Sequence, residues 1–146
     1  GVDPARVVVA GDSAGGGLTL SLLHALRDEG EEQPGCAFAL SPWVELEGTH
    51  DSFQRNADVD YLPADQVGIA ARMFVGATSL RDPGVAPLYA PRWDGLCPIL
   101  AQVGGRELFA DSIHALARVA AERGGSVDVQ DWPNMPHVFQ AFASIQ

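Results

Sequence analysis

The sequence predicts an α/β fold in which a mainly parallel sheet carries helices on both faces, with a long insert after the second strand. Three observations lead there. Short apolar or alternating runs at Val7–Ala10, Cys36–Leu40, Pro98–Val103 and Ser126–Trp132 have the length and composition of strands. Helix-like periodicity follows the first and third of these runs, and strands alternating with helices assemble into parallel sheets. The interval between the second and third strands far exceeds the dozen or so residues a crossover needs, so it carries an extra segment.

Taken in order, Val7-Val8-Val9-Ala10 is apolar on both faces, as a strand in the middle of a covered parallel sheet would be. Such a strand needs neighbours on either side, so residues 1–146 read as the C-terminal half of a domain whose earlier strands lie upstream. The following helix runs to about Glu29, with Leu18, Leu22, Ala25 and Leu26 as its expected buried stripe and Gly30 as its stop. Cys36–Leu40 ends at Ser41-Pro42. Within the insert, residues 43–96, Pro63 opens a helix whose Val67, Ala70, Ala71 and Phe74 share a face, and Arg81–Leu96 is a proline-punctuated loop. An insert over a sheet end can wall a pocket, and Trp43, Phe53, Tyr61, Met73 and Phe74 are candidates for lining it or for packing a core. After the third strand comes a helix over Ser112–Arg123, with Ile113, Leu116, Ala117 and Ala120 inward and Gly124-Gly125 as its close. Ser126–Trp132 alternates as an edge strand with one wet face. A loop to His137 and a short apolar stretch from Val138 to Ile145 finish the chain.

Length and composition suit a single core: 146 residues, 47% hydrophobic. Nine basic against 19 acidic residues, a net charge of −10, argue against nucleic acid or an anionic membrane surface as partner. No run approaches the ~18 apolar residues of a membrane span, and no leader opens the chain. Cys36 and Cys97 read as buried free thiols, which suits a cytoplasmic setting. No cofactor or metal is expected.

The chemistry centres on Gly11-Asp12-Ser13-Ala14-Gly15, between a strand and a helix. This is the context of a nucleophile elbow, where a strained turn lifts a serine hydroxyl clear of the sheet. Gly11 and Gly15 are the positions where a side chain is expected to collide with neighbouring backbone. A phosphate-cradling loop is the competing reading, but the Gly-x-Gly-x-x-Gly spacing and the P-loop Lys-Ser or Lys-Thr pair are both absent.

In a parallel sheet the reactive groups gather at the carboxyl ends of the strands. Ser13 follows the first strand, Glu107 the third and His137 the fourth, in the order serine, acid, histidine. His24 lies roughly 16 Å along the helix at ~1.5 Å per residue, His50 is in the insert and His114 is inside a helix. His137 is therefore the candidate base. Either Glu107, just past the strand-ending glycines, or Asp111, which could equally cap the next helix, is the candidate acid. The backbone N–H of Ala14 would supply one oxyanion donor, and a second would come from a loop after an earlier strand.

Together with Ser41-Pro42-Trp43, Asn56-Ala57-Asp58, Pro87-Leu88-Tyr89-Ala90 and Met135-Pro136-His137-Val138-Phe139, the elbow makes nearly the whole chain resemble the hormone-sensitive-lipase-like esterases, bacterial family IV, of the α/β-hydrolase fold. The resemblance implies hydrolysis of short- to medium-chain acyl esters through an acyl-enzyme, with Ser13 as nucleophile and His137 as base. Many members carry Asp-Pro-Leu-Arg-Asp where this chain has Glu107-Leu108-Phe109-Ala110-Asp111. Their acid falls on Glu107 and leaves Asp111 as the alternative. Glu45 stands where an Asp is common. The family's upstream His-Gly-Gly stretch and cap helices are missing from these residues, which implies little activity for the segment alone. A homodimer is compatible with the family. Competing readings are a serine peptidase of the same fold and a silent ligand-binding protein like the plant gibberellin receptors, which resemble this family without its histidine.

Overall fold

The computed structural model describes residues 1–143. Four parallel strands, β1 (Val8–Asp12), β2 (Cys36–Leu40), β3 (Ile99–Gly104) and β4 (Asp128–Trp132), lie side by side in chain order. Val8 pairs with Cys36, Ala37 with Ile99 and Leu100 with Asp128, and at the far end Asp12 meets Leu40 and Gly104 meets Trp132. This register brings the carboxyl ends of all four strands to one rim. The segments leaving them, at residues 13, 41, 105 and 133, start as neighbours.

Four helices accompany the sheet: α1 (Ala14–Glu29), α2 (Asp51–Arg55), α3 (Ala64–Val75) and α4 (Ala110–Glu122). α1 packs on β1 and β2, and α4 on β3 and β4. Side chains alternate across a strand. Ala37, Ala39, Ile99, Ala101 and Val103 are accordingly buried against Leu20, Leu23, Ile113 and Leu116, while Phe38 is 37% exposed on the other face. Towards that second face Gln140, in the 3₁₀ turn Phe139–Phe142, donates to Gln102 at 2.9 Å.

The face that α1 buries differs from the expected one. Leu18 and Leu22 are 55% and 42% exposed, and the inward residues are Gly16, Gly17, Thr19, Leu20, Leu23 and His24. Apolar periodicity placed the stripe on the leucines. Close approach decided otherwise, because only a glycine fits against Pro42, whose Cβ would lie 2.8 Å from a side chain at position 16. Among the described residues nothing buries Leu18 or Leu22. The helix ends as expected, with Gly30 in the left-handed conformation at φ 73°.

Within α3 only Ala71 is buried, and Phe74 is half-exposed. The short α2 had no periodic signal. Residues 81–96 are a loop holding one 3₁₀ turn, Pro87–Tyr89, around the buried Trp93. β4 runs along one edge of the sheet, and β1 pairs only with β2 among the described residues. Cys36 and Cys97 are free thiols. No described helix is long and apolar enough to cross a membrane. The end of the expected last apolar stretch, Ser144 and Ile145, lies outside the described residues.

Candidate active site

Ser13 sits between β1 and α1 with φ 53° and ψ −120°. A non-glycine residue at positive φ stores about 1–3 kcal/mol of strain and persists only where its surroundings over-determine it. Here the backbone is fixed on both sides: the Ser13 amide donates to the Leu40 carbonyl at 2.9 Å, and the Ser13 carbonyl accepts from Gly17 and from Trp43. The elbow glycines prove unequal. A Cβ on Gly11 would run into the backbone of Gly15, so position 11 admits nothing larger than hydrogen. Among the described residues nothing lies within 4 Å of a Cβ on Gly15; the tight contact at the elbow is Gly11 against the main chain of residue 15.

His137 comes to this serine from the far end of the chain. Its Nε2 lies 2.8 Å from Ser13 Oγ, and the imidazole is buried at 1% exposure. On the other side of the ring, His137 Nδ1 faces Glu107 Oε2 at 3.5 Å. The carboxylate of Glu107 is sealed completely from solvent. At 3.5 Å this separation is longer than a hydrogen bond. Burial pushes the Glu107 carboxyl above its ordinary range, against the pull of His137 and the Ser41 hydroxyl.

The acid and histidine loops meet through glycine. A Cβ on Gly104 would sit 2.7 Å from the Pro136 carbonyl oxygen, so the end of β3 can lie against the histidine loop only because it is bare. Ser41 and Val138 also have positive φ, 46° and 45°. Ser41 Oγ accepts the Val138 amide at 3.0 Å. The three strained non-glycine residues thus all stand at this rim, and for a β-branched valine the conformation is a genuine outlier. In the sequence Ser41-Pro42 reads as a strand stop and as part of the Ser41-Pro42-Trp43 motif. A serine in that place gave no signal of its second task.

Asp111 is elsewhere. Its carboxylate accepts the Ser52 amide at 2.8 Å and pairs with Arg55 at 2.8 Å, and that guanidinium holds it below its usual range. Two other histidines also lie apart: His24 stacks edge-on against Trp93, and His114 pairs with Asp131 on the surface. Ala14 opens α1, where the first amides have no intrahelical acceptor and are available to an anion.

Beside the elbow lies an apolar cleft of roughly 190 Å³ lined by Ala14, Gly17, Leu18, Trp43, Leu46, Ala70, Phe74 and Val85, among others. Of the expected pocket residues, Trp43 and Phe74 line it. Tyr61 does not: it leans over His137, with ring centroids 6.2 Å apart, and meets Phe142 at 5.6 Å. Trp43 stacks on Phe109, whose ring edge packs against His137 at 5.1 Å. The cleft wall and the histidine therefore share one aromatic support.

Known proteins resemble this chain along nearly its whole length. The sequence model of a family described as alpha/beta hydrolase fold matches residues 1–141. An acetyl-hydrolase of Streptomyces hygroscopicus is 38% identical over 141 residues, covering 95% of this chain and 46% of that protein. Esterase LipU of Mycobacterium tuberculosis is 32% identical, covering 99% and 50%. The crystal structure of an esterase from the bacterial hormone-sensitive lipase family superimposes with a TM-score of 0.94 at 42% identity, over all of this chain and 49% of that one. The chain thus spans about half the length of the relatives it matches. A serine elbow at the rim of a parallel sheet and a family match along residues 1–141 lead to one assignment: this chain belongs to the alpha/beta hydrolase fold family.

Proposed function

We propose that this chain carries the serine, acid and histidine of a carboxylester hydrolase acting on short- to medium-chain acyl esters through an acyl-enzyme. The observation that carries the reading is the 2.8 Å approach of His137 Nε2 to the hydroxyl of a serine in the strained elbow conformation. In this mechanism His137 takes the Ser13 proton as Oγ attacks the ester carbonyl, then returns it to the departing alcohol. A water activated by the same imidazole releases the acid. Glu107 holds the imidazole tautomer and offsets the positive charge it acquires. The Ala14 amide stabilises the developing oxyanion, and the apolar cleft by Trp43 and Phe74 takes an acyl or alcohol chain of modest size.

Relatives named acetyl-hydrolase and esterase support the substrate class. A second oxyanion donor is not assigned to any residue of this chain, and loss of one such donor costs on the order of 10²–10³ in rate. The segment alone is therefore expected to turn over little ester, and a version extended at its amino end with the missing half of the family fold is expected to be active. The reading includes a cytoplasmic setting, which two unpaired thiols suit, and a homodimer, to be counted by light scattering. The decisive assay compares a short acyl ester with both versions, alongside fluorophosphonate labelling of Ser13. Equal turnover by both versions rejects the account of the missing donor. An extended chain that is folded but unlabelled rejects the hydrolase.

A further inference from the structure

Asp60 belongs to the insert, yet its side chain is inside the active-site wall. It is 9% exposed, and its two oxygens serve two different loops. Oδ2 accepts the amide of Leu108, the residue after Glu107, at 2.8 Å. Oδ1 accepts the amide of His137 itself at 3.3 Å. The turn that presents Asp60 is fastened to the same acid loop: Asn56 Nδ2 donates to the Glu107 carbonyl at 2.8 Å, and the Asn56 carbonyl accepts the Asp60 amide at 2.9 Å.

We infer that Asp60 is a positioning residue of the hydrolase, a single carboxylate that fixes the acid loop and the histidine loop relative to each other and so sets the Glu107–His137–Ser13 geometry. This rests on the reading of Ser13 and His137 given above. Burying a carboxylate is costly unless its oxygens are paired, and the Asp60 partners are the backbone amides of His137 and of Leu108, the residue next to Glu107. An ionised carboxylate is acceptor-only, so it can take two facing N–H groups at once. Asparagine cannot, because its amino group would oppose one of them.

The charge itself works against the site. Asp60 disfavours ionisation of the buried Glu107, adding to the effect of burial. A loss in Asp60→Asn therefore cannot come from Glu107 ionisation, which the substitution eases. Misplacement by about 1 Å is enough to cost on the order of 10² in rate.

The test uses the extended, ester-hydrolysing version of the chain. Asp60→Asn is expected to lower kcat about 10- to 100-fold with KM changed by less than about twofold, when assayed well below the melting temperature of the variant. Asp60→Glu keeps the charge and both acceptors on a longer arm and is expected to fold and to lose less kcat. In a Glu107→Gln background, Asp60→Asn is expected to cost no more than a further two- to threefold, since the relation it protects is already broken. A separate NMR readout does not depend on turnover: the His137 and Leu108 amides lose hydrogen-exchange protection in Asp60→Asn, and the His137 ring resonances shift. Unchanged kcat, a full multiplicative loss in the Glu107→Gln background, or unchanged protection of both amides overturns the assignment. If the unsubstituted extended chain neither hydrolyses esters nor labels with fluorophosphonate, the hydrolase reading fails, and the exchange measurement still decides whether Asp60 holds the two loops.

Discussion

Glu107 and His137 face one another at 3.5 Å with both side chains closed off from solvent, and the carboxyl is pushed above its ordinary range by that burial. A raised acid is at ease protonated and is strained when ionised. The penalty on folding is absent well below pH 4.5, the ordinary value of the group, and grows as the pH rises towards the folded-state value. Glu107→Gln is therefore expected to raise the melting temperature at pH 7, with the gain vanishing at acid pH, while kcat falls by at least about 10² in the extended chain. Thermal melts at two pH values and an ester assay check this. A stabilised variant with full activity would remove Glu107 from the mechanism.

Asp111→Ala gives the opposite pattern. Its carboxylate fastens Ser52 and Arg55 rather than His137. The expected result is a stability loss of about 1 kcal/mol in urea unfolding with kcat unchanged within about twofold.

The two elbow glycines separate in the same way. Gly11→Ala sets a methyl group against the Gly15 backbone and is expected to destabilise by more than about 3 kcal/mol or to prevent folding. Gly15→Ala meets open space near the start of a helix and is expected to be neutral, or stabilising by up to about 1 kcal/mol. Denaturant midpoints of the two variants measure the difference.

His24 makes stability acid-sensitive. Burial, and then the neighbouring Arg27, push its pKa from 6.5 down to about 4, and neither ring nitrogen has a hydrogen-bond partner. Below pH 6.5 the unfolded chain takes up a proton that the folded chain refuses, so stability is lost as the pH falls from about 6.5 to about 4. His24→Leu is expected to flatten that part of the pH–stability curve, as read by urea unfolding at pH 7 and pH 5.

Phe74 closes part of the apolar cleft but is 50% exposed. Phe74→Ala is expected to cost under about 1 kcal/mol of stability and to raise kcat/KM for longer acyl esters several-fold relative to acetate esters. A chain-length series in the extended chain reads the ratio.

Local signals carried much of this molecule in the sequence. The strand runs, the Gly30 stop and the strand-turn-helix around Ser13 depend on residues close together or on the parallel-sheet rule, and they emerged where expected. Periodicity failed on α1 because a helix seated by glycine contact is oriented by what can approach it, which no count of leucines reveals. In the sequence Glu107 is the preferred acid, with Asp111, four residues on at the helix start, left as the alternative. Packing separated them by giving Asp111 to Arg55 and sealing Glu107 beside the histidine.

By itself the sequence determined the parallel α/β order and brought Ser13, Glu107 and His137 to one rim, since backbone register and local turn chemistry are written in neighbouring residues. Only the tertiary structure decided which carboxylate reaches the imidazole, which glycine is sterically required, and that Ser41, Asn56 and Asp60 brace the loops. Those are contacts between segments far apart in the chain, fixed by close packing and by the need of buried polar groups for partners.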